Sequence, residues 1–454
     1  MKHLLVLYLA FATILGAQEL RISVPYKRTV LPNGLNLILH EDHSTPTVSI
    51  NMYYHVGSGR EKPGRTGFAH LFEHLMFMGS KHVPVGKFDE WLEAAGGDNN
   101  GSTDEDRTNY YENVPSNAVE LALFLDSDRM GYLIDAMSPE KVNSQRDVVK
   151  NERRQSYENR PYGMSSIVLS ENLYPEVHPY HWPTIGSMAD LSAASYEDVV
   201  EFFRRYYIPS NSSLVVAGDI DPRAVQQQVE KWFGDIPAGN QVPPIDHPSP
   251  VIPVEKRLVI EDKVQLPRIY MAWITPPVFA PGDAELDLLS SILTGGKNSR
   301  LYKKLVYELQ IAQDVSAFQS SKLLSSDFTI VATARSGHSL SELEQVIWDE
   351  VTRIKTEMPT LRELQRAVNQ YEAVFLSRLE RVGGFGGKAD LLNSYFVRTG
   401  NPDFFNEDIS RYRALDVGDI SAVAQTYLRE NARVVLSVVP EGKRELAAER
   451  TGGK

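Results

Sequence analysis

The chain has 454 residues, of which 42% are hydrophobic and 23% charged, with a formal net charge of −12 and no cysteine. That length exceeds one ordinary core and predicts at least two domains of a globular protein. The acidic balance leaves no footprint for nucleic acid or an anionic membrane surface, and the missing cysteines exclude disulfides, thiolate catalysis and cysteine-type zinc sites.

Met1-Lys2-His3, the apolar run Leu4 to Leu15 and the small residues Gly16-Ala17 have the layout of a secretory signal peptide. Residues 1–17 are therefore expected to be removed, with Leu15 leaving the cut uncertain, and the mature chain to be periplasmic or secreted. No later stretch is apolar for long enough to insert stably in a membrane. Asn33-Gly34 predicts a hairpin turn, followed by alternation at Leu35, Leu37 and Leu39. Val48, Ile50, Met52, Tyr54 and Val56 alternate again and predict a strand with one buried face. A glycine-rich stretch, 57–67, ends that strand, and an apolar helix begins near Phe68. A helix is expected over 88–95, a polar extended segment over 101–114 and a helix over 117–133. Ser138-Pro139 reads as an N-cap followed by proline at the first helical position, opening a long helix that runs past Glu152. Leu214-Val215-Val216 is a short buried strand.

Residues 237–256 are proline-rich and poor in apolar side chains, the composition of a linker. The first half repeats beyond it. Tyr207, Asn211, Leu214 and Val215 recur as Tyr427, Asn431, Val434 and Val435; Arg268 to Thr275 parallels the strand before the first helix, and 286–295 parallels 68–79. The expectation is an α+β protein of two similar halves, residues 18–236 and 257–454, able to close on each other.

The chemistry-bearing motif is His70-Leu71-Phe72-Glu73-His74. Residues four apart on a helix stand one above the other, so both imidazoles can reach one ion. Glu73 precedes the second histidine and can reach a water on that ion, which makes it the candidate general base. Zinc needs a third protein ligand and an open position to lower the pKa of its water.

The order HxxEH resembles the inverzincin, or pitrilysin/insulinase-type, metallopeptidases, which include insulin-degrading enzyme and the mitochondrial processing peptidase. The resemblance extends over both halves and the linker, and is strongest to bacterial two-domain, processing-peptidase-like members. It implies a clamshell-like pair of homologous halves, each a mainly antiparallel sheet packed with helices, the second lacking metal ligands. It implies one zinc ion per chain, and a third ligand from a helix of the form RDVxxxE. Arg146-Asp147-Val148-Val149-Lys150-Asn151-Glu152 matches that form, so the resemblance assigns Glu152, with Glu158 as its nearest rival. Gly97 to Thr103 resembles the family's edge strand beside the metal, where substrate adds as a further strand. Asn99, Asn100, Gly101 and Ser102 are accordingly the candidate substrate-binding residues.

The chain departs from the family in its second half. Leu286, Leu289 and Ser290 fall where His70, Glu73 and His74 stand in the first. An arginine and a tyrosine that hold the substrate carbonyl in the family read here as Val306 and Gln313, with Tyr302 and Tyr307 at the wrong spacing. The function implied is hydrolysis of unstructured peptides or protein segments, with a homologous subunit supplying the missing pair in a heterodimer; the alternative is that the lone chain or its homodimer works less efficiently without that pair. A non-catalytic core or scaffold subunit is the competing reading. His178 and His181 sit in a proline-broken segment and suit loop structure better than a second metal site. Gly383-Gly384-Phe385-Gly386-Gly387 suits either a hinge or a tight helix boundary.

Overall fold

The computed structural model describes residues 21–449, and the leader segment 1–17 lies outside them. β1 (Lys27–Val30) and β2 (Asn36–Glu41) pair antiparallel across the Asn33-Gly34 turn. Gly34 takes φ +88° there, a left-handed value that costs a residue without Cβ little. β3 (Thr47–Tyr54), β4 (Asp98–Thr103), β5 (Thr108–Pro115) and β6 (Ser212–Gly218) complete a six-stranded sheet of order β1-β2-β6-β3-β5-β4. The polar segment 101–114 is thus resolved into the end of β4, a turn and most of β5.

The second half builds β7 (Lys256–Asp262), β8 (Arg268–Thr275), β9 (Ala312–Ser320), β10 (Ser326–Ala334) and β11 (Val434–Pro440) into a sheet of order β7-β11-β8-β10-β9. Without β1, the first sheet has the same spatial and chain order. The match includes direction, since β2–β6 and β7–β11 are parallel pairs and the others antiparallel. The duplication read from scattered tyrosines and asparagines is therefore a duplication of topology, in an α+β architecture of two halves. Residues 237–255 between them carry neither helix nor strand.

Each sheet buries one face under its own helices. In the first half Leu37, Ile50, Leu71, Phe72, Leu214 and Val216 are fully enclosed there. The other face is covered by a helix from the opposite half. Leu391, Leu392 and Tyr395 of the helix Lys388–Thr399 pack on Ile38, Val215 and Ala217. Reciprocally, Leu169 and Leu173 of the helix Ser165–Leu173 pack on Tyr270, Ala272, Val434, Leu436 and Val438. This exchange corrects the expectation that β3 buries one face only. Ser49, Asn51 and Tyr53 are as enclosed as Ile50 and Met52. Polar residues on a strand normally mark a wet face, but here Asn393 crosses from the second half and donates to the carbonyls of Asn51 and Ser213 at 2.9 and 3.0 Å. The hairpin turns also meet: Lys322 pairs with Glu105 at 3.1 Å, and the Asp106 carboxylate accepts the Leu323 N–H at 2.9 Å.

Candidate metal centre

The helix Phe68–Leu75 starts at Gly67, whose φ is +89° and whose side offers no room: a Cβ would stand 2.9 Å from the Ile185 carbonyl oxygen. With no side chain to cap itself, the helix borrows one. Buried Glu61 accepts the N–H of Gly67 at 2.9 Å and of Ala69 at 2.8 Å, occupying donors that every helix start leaves free. Burial pushes Glu61 up to about 8, against the pull of those amides.

The second ligand-bearing helix, Pro139–Arg153, begins with the Ser138 hydroxyl accepting from the Lys141 N–H and proline at its first turn. Arg146 donates to the carbonyls of Leu191, Ser192 and Ala194 at the end of a neighbouring helix. Arg153 reaches the Gly186 carbonyl at 2.8 Å, next to the chain that crowds Gly67, and pairs with Glu158 at 3.3 Å. Both helices are thereby tied to one loop. Glu158 is engaged with an arginine rather than facing the histidines.

Across this junction His70, His74 and Glu152 bring one ligand atom each to within 4.8 Å of the others. Glu152 Oε2 lies 3.7 Å from His70 Nε2 and 3.3 Å from His74 Nε2. Tetrahedral zinc, with bonds of about 2.0–2.2 Å, holds its donor atoms about 3.3–3.6 Å apart, so the residues present fit that ion. Burial lowers His70 to about 4, leaving a neutral imidazole suited to ligation, and the His74 hydrogen bond holds Glu152 below the usual carboxylate range.

Glu73 is half-buried and is not part of that ligand triangle. Its Oε2 accepts the Thr103 hydroxyl at 2.6 Å, while burial raises its pKa above the ordinary glutamate value. Gly101, two residues before Thr103 on the same face of β4, leaves room for it: a Cβ there would meet Glu73 Cγ at 3.0 Å and the Tyr110 ring at 3.1 Å. β4 ends its sheet, with no strand beyond it among the described residues. Asn99 is tied to Asp89 at 3.0 Å, Asn100 Oδ1 accepts the Gly101 N–H at 2.8 Å, and Ser102 donates to Asn109 at 2.7 Å. The strand proposed from sequence for substrate thus runs beside the candidate base, its edge partly blunted by its own side chains.

The other predicted residues lie elsewhere. Val306 is packed into the second-half core, and Gln313 is exposed on β9. His178 is buried against the Tyr174 ring at 4.7 Å, and its Nδ1 accepts the Tyr180 N–H, a structural role. The glycines 383–387 lead into the helix Lys388–Thr399, and Gly383 presses on Asn113 of the first half. Glu61, Thr103 and Arg153 went unassigned from sequence. Thr103 alone carried a signal, since alternation places it on the face of Gly101.

Two family models match: one described as Insulinase (Peptidase family M16), over residues 36–175, and one as Peptidase M16 inactive domain, over residues 193–371. A Helicobacter pylori protein named zinc protease PqqE is 27% identical, the alignment covering 97% of this chain and 99% of that protein. An Arabidopsis thaliana protein named as a probable mitochondrial-processing peptidase subunit beta is 24% identical over 94% of this chain and 81% of its own length. The crystal structure of a protease from Helicobacter pylori superposes with a TM-score of 0.86 at 26% identity, covering 92% of this chain and all of that one.

Proposed function

The chain belongs to the insulinase-type M16 peptidase family, and from that premise we propose that it is a zinc metalloendopeptidase of unstructured peptides or protein segments. The observation that carries the reading is the convergence of the His70, His74 and Glu152 ligand atoms beside Glu73 and the outer edge of β4, which no strand among the described residues covers. A zinc ion held by these three side chains supplies Lewis acidity and a bound water of lowered pKa. Glu73 takes a proton at its carboxylate and returns it to the departing amine, and its raised pKa suits both halves of that transfer. Thr103 fixes the carboxylate's direction. The outer edge of β4 binds the peptide as an added strand, recognising its backbone more than its sequence.

The leader-like residues 1–17 support a periplasmic or secreted location, and no helix among the described residues is long and apolar enough to cross a membrane. Val306 and Gln313 favour completion by a homologous subunit that carries the arginine and tyrosine this half lacks, the alternative being a lone chain or homodimer that works less efficiently without them. Scaffolding alone gives no reason to place a base beside three ligand atoms.

Cleavage of a quenched, unstructured peptide by the zinc-loaded mature chain, with Glu73→Gln as control, tests the reading. Turnover should be present and fall by a factor of about 10²–10⁴ in the control while zinc content stays the same. Measurable turnover that is equal in both, or no zinc bound by either, overturns it, while bound zinc without turnover in either moves the same test to the chain mixed with a homologous subunit that carries the arginine and tyrosine.

A further inference from the structure

The helix Asp283–Thr294 and the edge strand β9 are, by topology, the second half's counterparts of the HxxEH helix and β4. No metal-binding group forms there among the described residues. In its place is a cavity of about 880 Å³ that reaches across to the glycine-rich loop before the helix Lys388–Thr399 and to that helix itself.

Its charges are unevenly used. Asp283 is taken by Arg411 at 2.8 Å and by the Ser321 hydroxyl, and Asp408 by Arg411 at 2.9 Å and the Tyr395 hydroxyl. Asp390 accepts the side chain of Asn109 and the N–H of Gly386, both at 2.8 Å. Asp287 accepts the Tyr412 hydroxyl at 2.7 Å, and burial pushes it up to about 7, so much of its charge is absent at neutral pH. The remaining cations of the wall are Arg378 and Arg381, both exposed to solvent, and Arg398, which feels the charges of Asp104, Asp106 and Asp390; none of the three has a side-chain hydrogen bond or ion pair among the described residues. Arg398 is enclosed by both halves, near Tyr53 and Asp104 of the first, yet keeps accessible surface because that surface faces the cavity. A guanidinium held in such a place without an acceptor is a site prepared for one, and a planar fork of donors matches a carboxylate.

We propose that this cavity binds a carboxylate of an acidic peptide through Arg378, Arg381 and Arg398, so that acidic segments are the preferred substrates. Phe279, Phe375 and Phe385 in the same wall add apolar surface beside these arginines. That the ligand is a peptide rests on the peptidase reading; that it is an anion rests on the cavity.

The test is the affinity of a dye-labelled unstructured peptide for the zinc-loaded mature Glu73→Gln chain, by fluorescence anisotropy. Three versions are compared: one rich in Asp and Glu, one with Asn and Gln in their place, and an amidated form of the first. The acidic peptide should bind on the order of tenfold or more tightly than its neutral twin. Arg398→Gln, or Arg378→Gln with Arg381→Gln, should remove most of that preference, and Arg398→Lys should keep part of it, with melting temperatures as the check on folding. Weaker binding with Asn and Gln but not on amidation assigns the bound carboxylate to side chains, whereas weaker binding on amidation alone, with the acidic and neutral twins equal, places it at the chain end and overturns the preference for acidic segments. Equal affinity for all three peptides, or a preference that survives every arginine substitution, overturns the proposal. Cleavage by the chain with Glu73 intact reports separately on the peptidase reading, so failure of either is visible without the other.

Discussion

The donors and acceptors around Glu73 show how little of a catalytic residue's behaviour lies in the residue itself. Its carboxylate is half-buried, which favours the proton, and it accepts a hydroxyl, which favours the charge. Thr103→Val deletes the hydroxyl at constant shape. The expected result is a fall in kcat of about tenfold with zinc stoichiometry and KM nearly unchanged, measured by steady-state cleavage and metal analysis. Gly101→Ala presses a methyl group against Glu73 Cγ and Tyr110, where even a few tenths of an ångström must be found. It should cost kcat more than Thr103→Val does, again without loss of metal. A variant that keeps full activity in either case would remove β4 from the account of the base. The histidines and Glu73 were legible because helical spacing alone puts them together. Thr103 was legible only as far as strand alternation reaches, since which side chain faces it depends on how β4 crosses the helix.

At the scale of elements, the capping of the HxxEH helix is the contact that sequence could not announce. Glu61 sits in a loop with no periodicity, and only the folded path of that loop brings it to Gly67 and Ala69. Glu61→Ala leaves two buried amides without acceptors, at a cost of about 1–3 kcal/mol. A lower melting temperature and weaker zinc binding, with Glu61→Gln intermediate, are the expected outcomes; unchanged zinc affinity would show that the helix start does not set the ligands. The counterpart helix Asp283–Thr294 carries a different strain. Asp287 is raised from 3.8 to about 7 by burial. Below about pH 4 folded and unfolded chains both keep that proton, and between there and about pH 7 only the folded chain does. This carboxyl therefore removes stability as pH rises through that window and withholds it above. Asp287→Asn, which still accepts from Tyr412, should stabilise the chain more at pH 8 than at pH 5, by up to about 2 kcal/mol. Equal gains at both pH values in thermal melts would place the proton elsewhere.

The whole molecule is two copies of one topology that cover each other's sheets, and this reciprocity explains which sequence signals failed. Alternation at Val48 to Val56 correctly gave a strand but missed its second buried face, because the cover, Lys388–Thr399, comes from the far end of the chain. Of the recurring positions, Leu214 and Val215 and their counterparts Val434 and Val435 are buried in both sheets, whereas Asn211 is buried and Asn431 exposed, so the strand rather than the asparagine carries the repeat. The same duplication frames the missing pair. Val306 stands in a wide turn, Tyr302–Glu308, with its side chain among Leu301 and Leu305, so an arginine at this position would be driven into the core rather than towards a peptide. Gln313 is exposed on β9 and has no phenol to offer. If the oxyanion donors come from a second subunit, the purified zinc-loaded chain should turn over about 10²–10³ times more slowly than when mixed with a homologous subunit bearing both side chains. Titrating that subunit at fixed chain concentration should give a saturable rise in kcat with unchanged zinc content. For a homodimer, rate per chain should instead grow with the chain's own concentration. Rapid turnover independent of dilution and unaffected by the second subunit would mean that other donors of this chain carry the developing charge. Arg107, within hydrogen-bond reach of Ser102 on β4 and electrostatically felt by Glu73, would then be the first to substitute.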